Sequence, residues 1–354
     1  MNHRARALAA TALLTLVALI PAGLGAIARQ PAAPTAPAEP VAGPANRIGA
    51  IALTVTDLDR SMEWYRSVLD AEPLGIRTLE GEAFERLTGV FGARARAASL
   101  RIGSETIELF EFITPRGRPI PHDSHGNDRW FQHIAIIVRD MDEAYARLKA
   151  HNVAHASPQP QRLPDWNTNA GGIEAFYFRD PDGHYLEILE FPSGKGEQRW
   201  QSNDRLFLGI DHTAIVVDDT EASLAFYRDL LGLRVAGTSE NHGPEQERLN
   251  AVFPARLRIT TLRAPTGPGI ELLEYLTPRS GRPMPADTQP TDVWHWHVAI
   301  NVDNVEPLFV ACRKAGGRPV SPGPQPVSAN GERAGSGLMA RDPDGHALLF
   351  LTGQ

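Results

Sequence analysis

The chain has 354 residues, 42% hydrophobic and 22% charged, which exceeds the length one hydrophobic core usually organises and is apolar enough to fill two. A net charge of -7 with no Lys/Arg cluster excludes the electrostatic footprint of a nucleic-acid or anionic-membrane binder. Cys312 is the one cysteine, so no intrachain disulfide can form and stability has to come from packing.

At the N-terminus, Arg4 and Arg6 precede an apolar run from Ala7 to Ile20, followed by Pro21, Gly23 and the small-x-small triplet Ala26, Ile27, Ala28. That is the anatomy of a secretory signal peptide over residues 1–28, and it predicts a periplasmic or secreted protein. The interrupted run is a poor spanning helix, which leaves an uncleaved N-terminal anchor as the only membrane association to consider. Residues 29–46 carry Pro31, Pro34, Pro37, Pro40 and Pro44 among alanines and read as an extended linker, with the folded part starting near Arg47.

Beyond the linker the chain repeats. TIELFEFITPRGRPIP from Thr106 returns as GIELLEYLTPRSGRPMP from Gly269, and FRDPDGHYLEIL from Phe178 returns as ARDPDGHALLFL from Ala340. Glu271 follows Glu108 by 163 residues, His297 follows His133 by 164, and Asp342 follows Asp180 by 162, so the halves align almost without insertions. They span residues 47–192 and 209–354, joined by a linker over 193–208. Each half divides again, because four alternating strands (IGAIALTVTD, FQHIAIIVRD, IDHTAIVVDD, WHVAINVDN) each precede an amphipathic helix. In the third unit, Leu224, Tyr227, Leu230 and Leu231 form the apolar stripe behind the capping candidate Asp219, and Gly232 is the expected stop. Later strands include LRIGSETIELFEF and AFYFRDPDGHYLEIL, with a DPDG turn once in each half, so the unit reads β, α, then several β, an α+β chain of four such modules.

Four βαβββ modules with these strand openings and DPDGH turns resemble the vicinal oxygen chelate superfamily of glyoxalases, bleomycin resistance proteins and extradiol dioxygenases. The resemblance covers residues 47–352. It implies that modules pair into cup-shaped half barrels and that metal ligands project inward from the first and last strands of each module. Carried over one position at a time, the ligand positions fall on Ala50 and Glu108 in module one and on His133 and Glu187 in module two. In module three they fall on His212 and Glu271, and in module four on His297 and Leu349. Ala50 and Leu349 cannot bind metal. Pairing in chain order leaves both sites incomplete, whereas exchanged pairing (two with three, one with four) gives one complete set, His133, Glu187, His212 and Glu271, and gathers both losses in the other.

Two imidazoles and two carboxylates suit one divalent ion, Zn, Ni, Mn, Fe or Co. The resemblance then implies a glyoxalase-like lyase or isomerase acting on a small molecule with adjacent oxygens through a metal-stabilised enediolate, with Glu187 as first and Glu271 as second candidate base. The alternatives are an Fe(II)-dependent extradiol-type dioxygenase and a non-catalytic binding or resistance protein. A lone strand histidine is ordinarily a core residue, and the four matching positions are what turn these toward metal. His184 and His346 recur in the DPDGH turns regardless of ligand loss and are expected to brace those turns. Arg116, Arg118, Arg279 and Arg282 are expected to brace contacts between modules. Trp130, near His133, is a substrate-binding candidate, with core packing the expected role for Trp166, Trp294 and Trp296. Glu111, Glu190 and Glu274, on the opposite strand face from the ligands, are expected to be structural. Monomer and homodimer both remain open.

Overall fold

A computed structural model describes residues 45–202, 204–329 and 332–353. The segment 1–28 read from the sequence as a signal peptide, and nearly all of the Pro/Ala linker, lie outside the described residues. Among the described residues, no helix is long and apolar enough to cross a membrane.

Module one comprises β1 (Ala45–Thr54), α1 (Leu58–Leu69), β2 (Glu72–Glu80), α2 (Glu82–Thr88), β3 (Arg94–Ile102) and β4 (Glu105–Thr114). Module two follows with β5 (Gln132–Val138), α3 (Met141–Ala150), two short strands β6 (Ala154–His155) and β7 (Gln161–Arg162), then β8 (Glu174–Arg179) and β9 (Tyr185–Glu190). Module three repeats the first: β10 (Phe207–Val217), α4 (Thr220–Leu224), β11 (Arg234–His242), α5 (Pro244–Asn250), β12 (Arg256–Arg263) and β13 (Gly269–Thr277). Module four has β14 (Trp296–Val302), α6 (Glu306–Lys314), β15 (Arg318–Pro319), β16 (Gln325–Ala329), β17 (Glu332–Arg341) and β18 (Ala347–Leu351).

Local chemistry sets the helix starts. Asp57, Asp140 and Asp219 each accept a backbone N–H three residues on, at 2.9, 2.8 and 2.8 Å, satisfying one of the donors a helix leaves unpaired at its start. After α4 the helix widens over Ala225–Leu230 and stops at Gly232, whose φ of 74° is the left-handed value expected there. The short helices α2 and α5 are additions to the βαβββ pattern that strand periodicity does not reveal.

The strands form two sheets, and each joins modules from different halves. One runs β15-β17-β18-β14-β1-β4-β3-β2, modules four and one, and the other runs β11-β12-β13-β10-β5-β9-β8-β6, modules three and two. The join is antiparallel, β10 against β5 with Ala214 opposite His133, and β1 against β14 with Ala52 opposite His297. The cores follow the other pairing. Ile51, Tyr65 and Leu109 of module one pack with Ile136, Phe176 and Ile188 of module two, while Ile215, Tyr227 and Ile270 of module three pack with Ile300, Leu308 and Phe350 of module four. Helix-bearing faces therefore pair modules in chain order, and cup-forming faces pair them across the duplication.

The repeated Gly-Arg-Pro segments hold this exchange together. Arg118 donates to Asp292 at 2.7 Å and Asp287 at 2.9 Å, while Arg282 donates to Asp128 at 2.7 Å and Asp123 at 2.9 Å, a reciprocal clasp between the halves. Side chains are excluded where the loops cross, because a Cβ on Gly117 would lie 2.0 Å from Thr291 O and one on Gly281 would lie 1.8 Å from Asn127 O. Of the four arginines expected to brace module contacts, Arg118 and Arg282 do so, whereas Arg116 and Arg279 pair with Glu111 and Glu274 of their own modules. Each guanidinium also covers a tryptophan, Arg118 over Trp294 at 4.7 Å and Arg282 over Trp130 at 4.6 Å.

Candidate metal centre

The cup between modules two and three is a cavity of about 870 Å3 with His133, Glu187, His212 and Glu271 on its wall. Strand alternation delivers them: His133 lies on β5, Glu187 on β9, His212 on β10 and Glu271 on β13, with Ala135 and Ala214 as the small neighbours opposite the two carboxylates. His133, Glu187 and His212 bring one ligand atom each within 4.8 Å of one another, and among the described residues they form a buried group able to hold a metal ion. Glu271 joins through Oε2, 3.3 Å from His212 Nε2, while its Oε1 accepts from Thr261 Oγ1 at 2.6 Å.

His133 tests the fit. Its Nε2 lies 3.2 Å from Glu187 Oε2, yet neither ring nitrogen makes a hydrogen bond, because the carboxylate sits off the direction in which the ring donates. A buried imidazole with both nitrogens unpaired is unfavourable by itself. Donor atoms that converge without bonding to one another are arranged for a shared third atom, so the residues fit a metal.

His212 is oriented from behind, its Nδ1 2.9 Å from Asp211 Oδ2, which directs Nε2 at the cavity. A bulge between Ile210 and His212 lets two consecutive side chains reach the same cavity. Asp211 is held in turn by Arg263 at 2.7 Å and by the Trp200 indole N–H at 3.2 Å. Burial by itself would push the His212 imidazole down, but Glu271, Asp211 and Glu187 together outweigh it and hold the group up to about 9. Burial would likewise raise Asp211, and His212 and Arg263 overcome it and hold that carboxyl well below the usual range. Beside the ligands, burial and then the charge of Glu187 push the Tyr177 phenol far above its ordinary value, so it stays neutral.

A raised imidazole has a definite consequence for pH. In the metal-free chain, protonated His212 contributes stability that is complete below the ordinary histidine value near 6.5 and is lost as pH rises through about 9. Metal must displace that proton, so affinity is expected to climb with pH up to about 9, with proton release on binding. Asp211→Asn should weaken metal binding about 10- to 100-fold, the usual effect of losing a partner behind a ligating histidine, and move this pH dependence downward. Calorimetric metal titration in buffers of different ionisation enthalpy checks both, and an unchanged affinity in Asp211→Asn would show that the carboxylate does not orient the ring.

Several sequence expectations place differently. Trp130 does not line this cavity: its indole N–H donates to Ser124 Oγ at 3.1 Å and its ring lies under Arg282, so it serves the clasp. Trp166 is not core but 53% exposed, stacked on His242 at 4.4 Å. The segment 193–208 is more than a linker, since Trp200 and Phe207 are buried and Arg199 pairs with Glu105 of module one at 2.5 Å on the rim. Glu190 accepts from Met141 N at 2.6 Å at the start of α3 and Glu274 from Thr220 Oγ1 at 2.7 Å at the start of α4, the structural roles expected of that face. Sequence reasoning missed Asp211, Tyr177 and a buried amide chain beside the cavity in which Asn167, Asn241, Gln246, Asn250 and Tyr275 are linked at 2.6, 2.8, 2.5 and 2.5 Å. Asp211 had a signal, its adjacency to a ligand histidine, and the amides had none.

Residues 47–188 and 209–350 each match the family model described as Glyoxalase/Bleomycin resistance protein/Dioxygenase superfamily. A 2-epi-5-epi-valiolone epimerase from Actinomyces is 33% identical over 150 residues, 41% of this chain and 79% of that protein. A catechol-2,3-dioxygenase from Bacillus subtilis is 27% identical over 213 residues, 54% of this chain and 66% of the relative. Among solved structures, glyoxalase I from Zea mays superposes with a TM-score of 0.56 at 17% identity, covering 87% of this chain and 92% of that one, a likeness of fold.

Proposed function

The chain belongs to the glyoxalase/bleomycin resistance protein/dioxygenase superfamily, and from that premise we propose that it is an exported, metal-dependent lyase or isomerase of the glyoxalase type. It acts on a small molecule bearing neighbouring oxygens, and the N-terminal segment Arg4–Ala28 supports export. The observation that carries the reading is the convergence of His133, Glu187, His212 and Glu271 on one cavity. One chain supplies all four donors, so a second copy is not needed to complete the site.

A divalent ion at this position supplies Lewis acidity toward two adjacent substrate oxygens. The chain's residues do the rest. His133, His212 and Glu187 form the compact seat, whereas the Glu271 side chain is the more exposed of the two carboxylates, 18% against 6% for Glu187. With one oxygen fixed by Thr261 and the other facing the cavity, Glu271 is better placed to take a proton from carbon next to a carbonyl and return it to the neighbouring carbon or the opposite face. That order reverses the one strand position suggests, with Glu187 second. Leu163, Leu249 and Leu273 give part of the cavity wall an apolar surface.

One observation favours a second reading. The compact trio is two histidines and one carboxylate, the set used by non-haem iron oxygenases, and a catechol dioxygenase is among the relatives. Deuterium exchange separates the two. Metal-loaded protein incubated with α-hydroxycarbonyl compounds in D2O is expected to exchange the hydrogen beside the carbonyl, followed by NMR, and Glu271→Gln to slow this by about 100-fold or more. Absence of exchange, together with oxygen uptake on catechols by the Fe(II)-loaded chain, would replace the isomerase reading with the dioxygenase one.

A further inference from the structure

The second cup, between modules one and four, encloses about 570 Å3 with the lost ligand position Ala50 on its wall. Its equivalents of Asp211 and His212 are Gly49 and Ala50, and its equivalent of Glu187 is Leu349, so ligand and supporting carboxylate have gone together. The surviving Glu108 has no call for a metal: Arg77 donates to it at 2.7 Å and Ser99 Oγ at 3.1 Å. Arg77 stands where module three has Ser239, so a half-exposed guanidinium of the same module supplies the positive charge.

What remains is a smaller pocket than the first cup, about 570 Å3 against about 870 Å3, without the full set of ligands. Phe84, Phe110, Phe112, Leu87 and Met339 give it an apolar wall, with Phe84 and Phe112 stacked at 6.1 Å. Two histidines face into it without partners. His297, 6% exposed, has its Nε2 unbonded, and His295, 3% exposed, has both ring nitrogens unbonded. Burial, reinforced by Arg77, pushes His297 down to about 4 despite Glu108, so it is a neutral imidazole at physiological pH, ready to donate or accept one hydrogen bond. Of the charged groups on its wall, Arg77 is paired with Glu108 and Glu80 with Arg94, and the remaining cation, Arg47, is solvent-exposed, so the charge beside His297 is already matched.

We propose that this second cavity is a metal-free binding site for an uncharged, mainly aromatic or apolar small molecule whose hydroxyl or carbonyl group pairs with the His297 imidazole. The apolar wall supplies affinity, and the unpaired imidazole supplies orientation. The inference does not depend on the reaction assigned to the other cup.

The probe is 2-naphthol, an uncharged aromatic alcohol, titrated into the full chain by calorimetry on the His133→Ala background, so that the first cup is disabled. The native chain and the His133→Ala chain are expected to bind about one equivalent each with the same affinity. His297→Phe, which keeps the aromatic volume, should weaken binding about tenfold through loss of the hydrogen bond, and Ala50→Trp should fill the cavity and abolish binding. The proposal is overturned by absence of saturable binding, by loss of binding on His133→Ala, or by full affinity in either cavity variant. Far-ultraviolet circular dichroism on each variant distinguishes a filled or altered pocket from an unfolded chain.

Discussion

Metal analysis of the purified chain is expected to return about one equivalent of divalent ion, and His133→Ala, Glu187→Ala and His212→Ala each to lose it. His297→Ala should keep it. The sizes follow from what is removed. Losing only a partner behind a ligand costs about 10- to 100-fold in metal affinity, so losing one of the three groups that converge within 4.8 Å should cost at least about 100-fold. His133→Ala is the cleanest of the three, because neither ring nitrogen of His133 is hydrogen-bonded to the protein and truncation breaks no internal bond. His297, by contrast, lies in the other cup, whose one carboxylate at a ligand position, Glu108, is already paired with Arg77. Loss of the ion in His297→Ala with retention in His133→Ala would mean that metal sits between modules one and four and that the site is wrongly placed.

Much of this arrangement is legible in the sequence. The repeats from Thr106 and Gly269 fix the register, and the register aligns Ala50 with His212 and Leu349 with Glu187 as lost ligands. The sheet pairings agree position by position, since Ala52 faces Glu108 as Ala214 faces Glu271, and Ala299 faces Leu349 as Ala135 faces Glu187. Exchange of modules followed from where the losses fell. That the helix-bearing cores keep the chain order, however, is a property of faces: the pattern of IDHTAIVVDD says that both faces of β10 are buried, not which neighbour covers each. Asp211 escaped for a related reason, because the bulge that turns it beside His212 breaks strict alternation. Trp130 misled through proximity, since three residues on a strand end suffice to carry a side chain from the cup to the clasp. Arg77 was invisible because its meaning depends on Glu108, 31 residues away and on a strand that is not its direct neighbour.

Asp180→Ala is expected to lower stability by about 3–5 kcal/mol, the cost of removing one partner from a buried ion pair, and to do so without emptying the metal site. Asp180 is fully enclosed and accepts four donors: His184 Nδ1 at 2.8 Å, the backbone N–H groups of Asp182 and His184 at 2.9 Å each, and the Tyr65 hydroxyl at 3.2 Å. Through Tyr65 it ties α1 of module one to the DPDGH turn of module two. Through His184 Nε2, 2.7 Å from Val293 O, it ties both to the segment entering module four. Alanine strands all of these groups inside the protein, and none can reach water without opening the core that Tyr65 shares with Phe176. The pair also sets a pH window. Burial would raise Asp180, but His184 holds it below its ordinary value, so its contribution is present above about pH 4 and is lost as pH falls through the lowered value. His184 is held above its ordinary value by Asp180 against burial, so its contribution is complete below about 6.5 and is lost as pH rises through the raised value. Because Asp342 repeats the arrangement with Tyr227 at 3.0 Å and His346 at 3.1 Å, Asp342→Ala should cost a similar amount in the other core. Urea unfolding of both variants, read together with metal content, tests the assignment: a loss under about 1 kcal/mol in each would mean that the repeated DPDGH turns are not what holds the paired modules together.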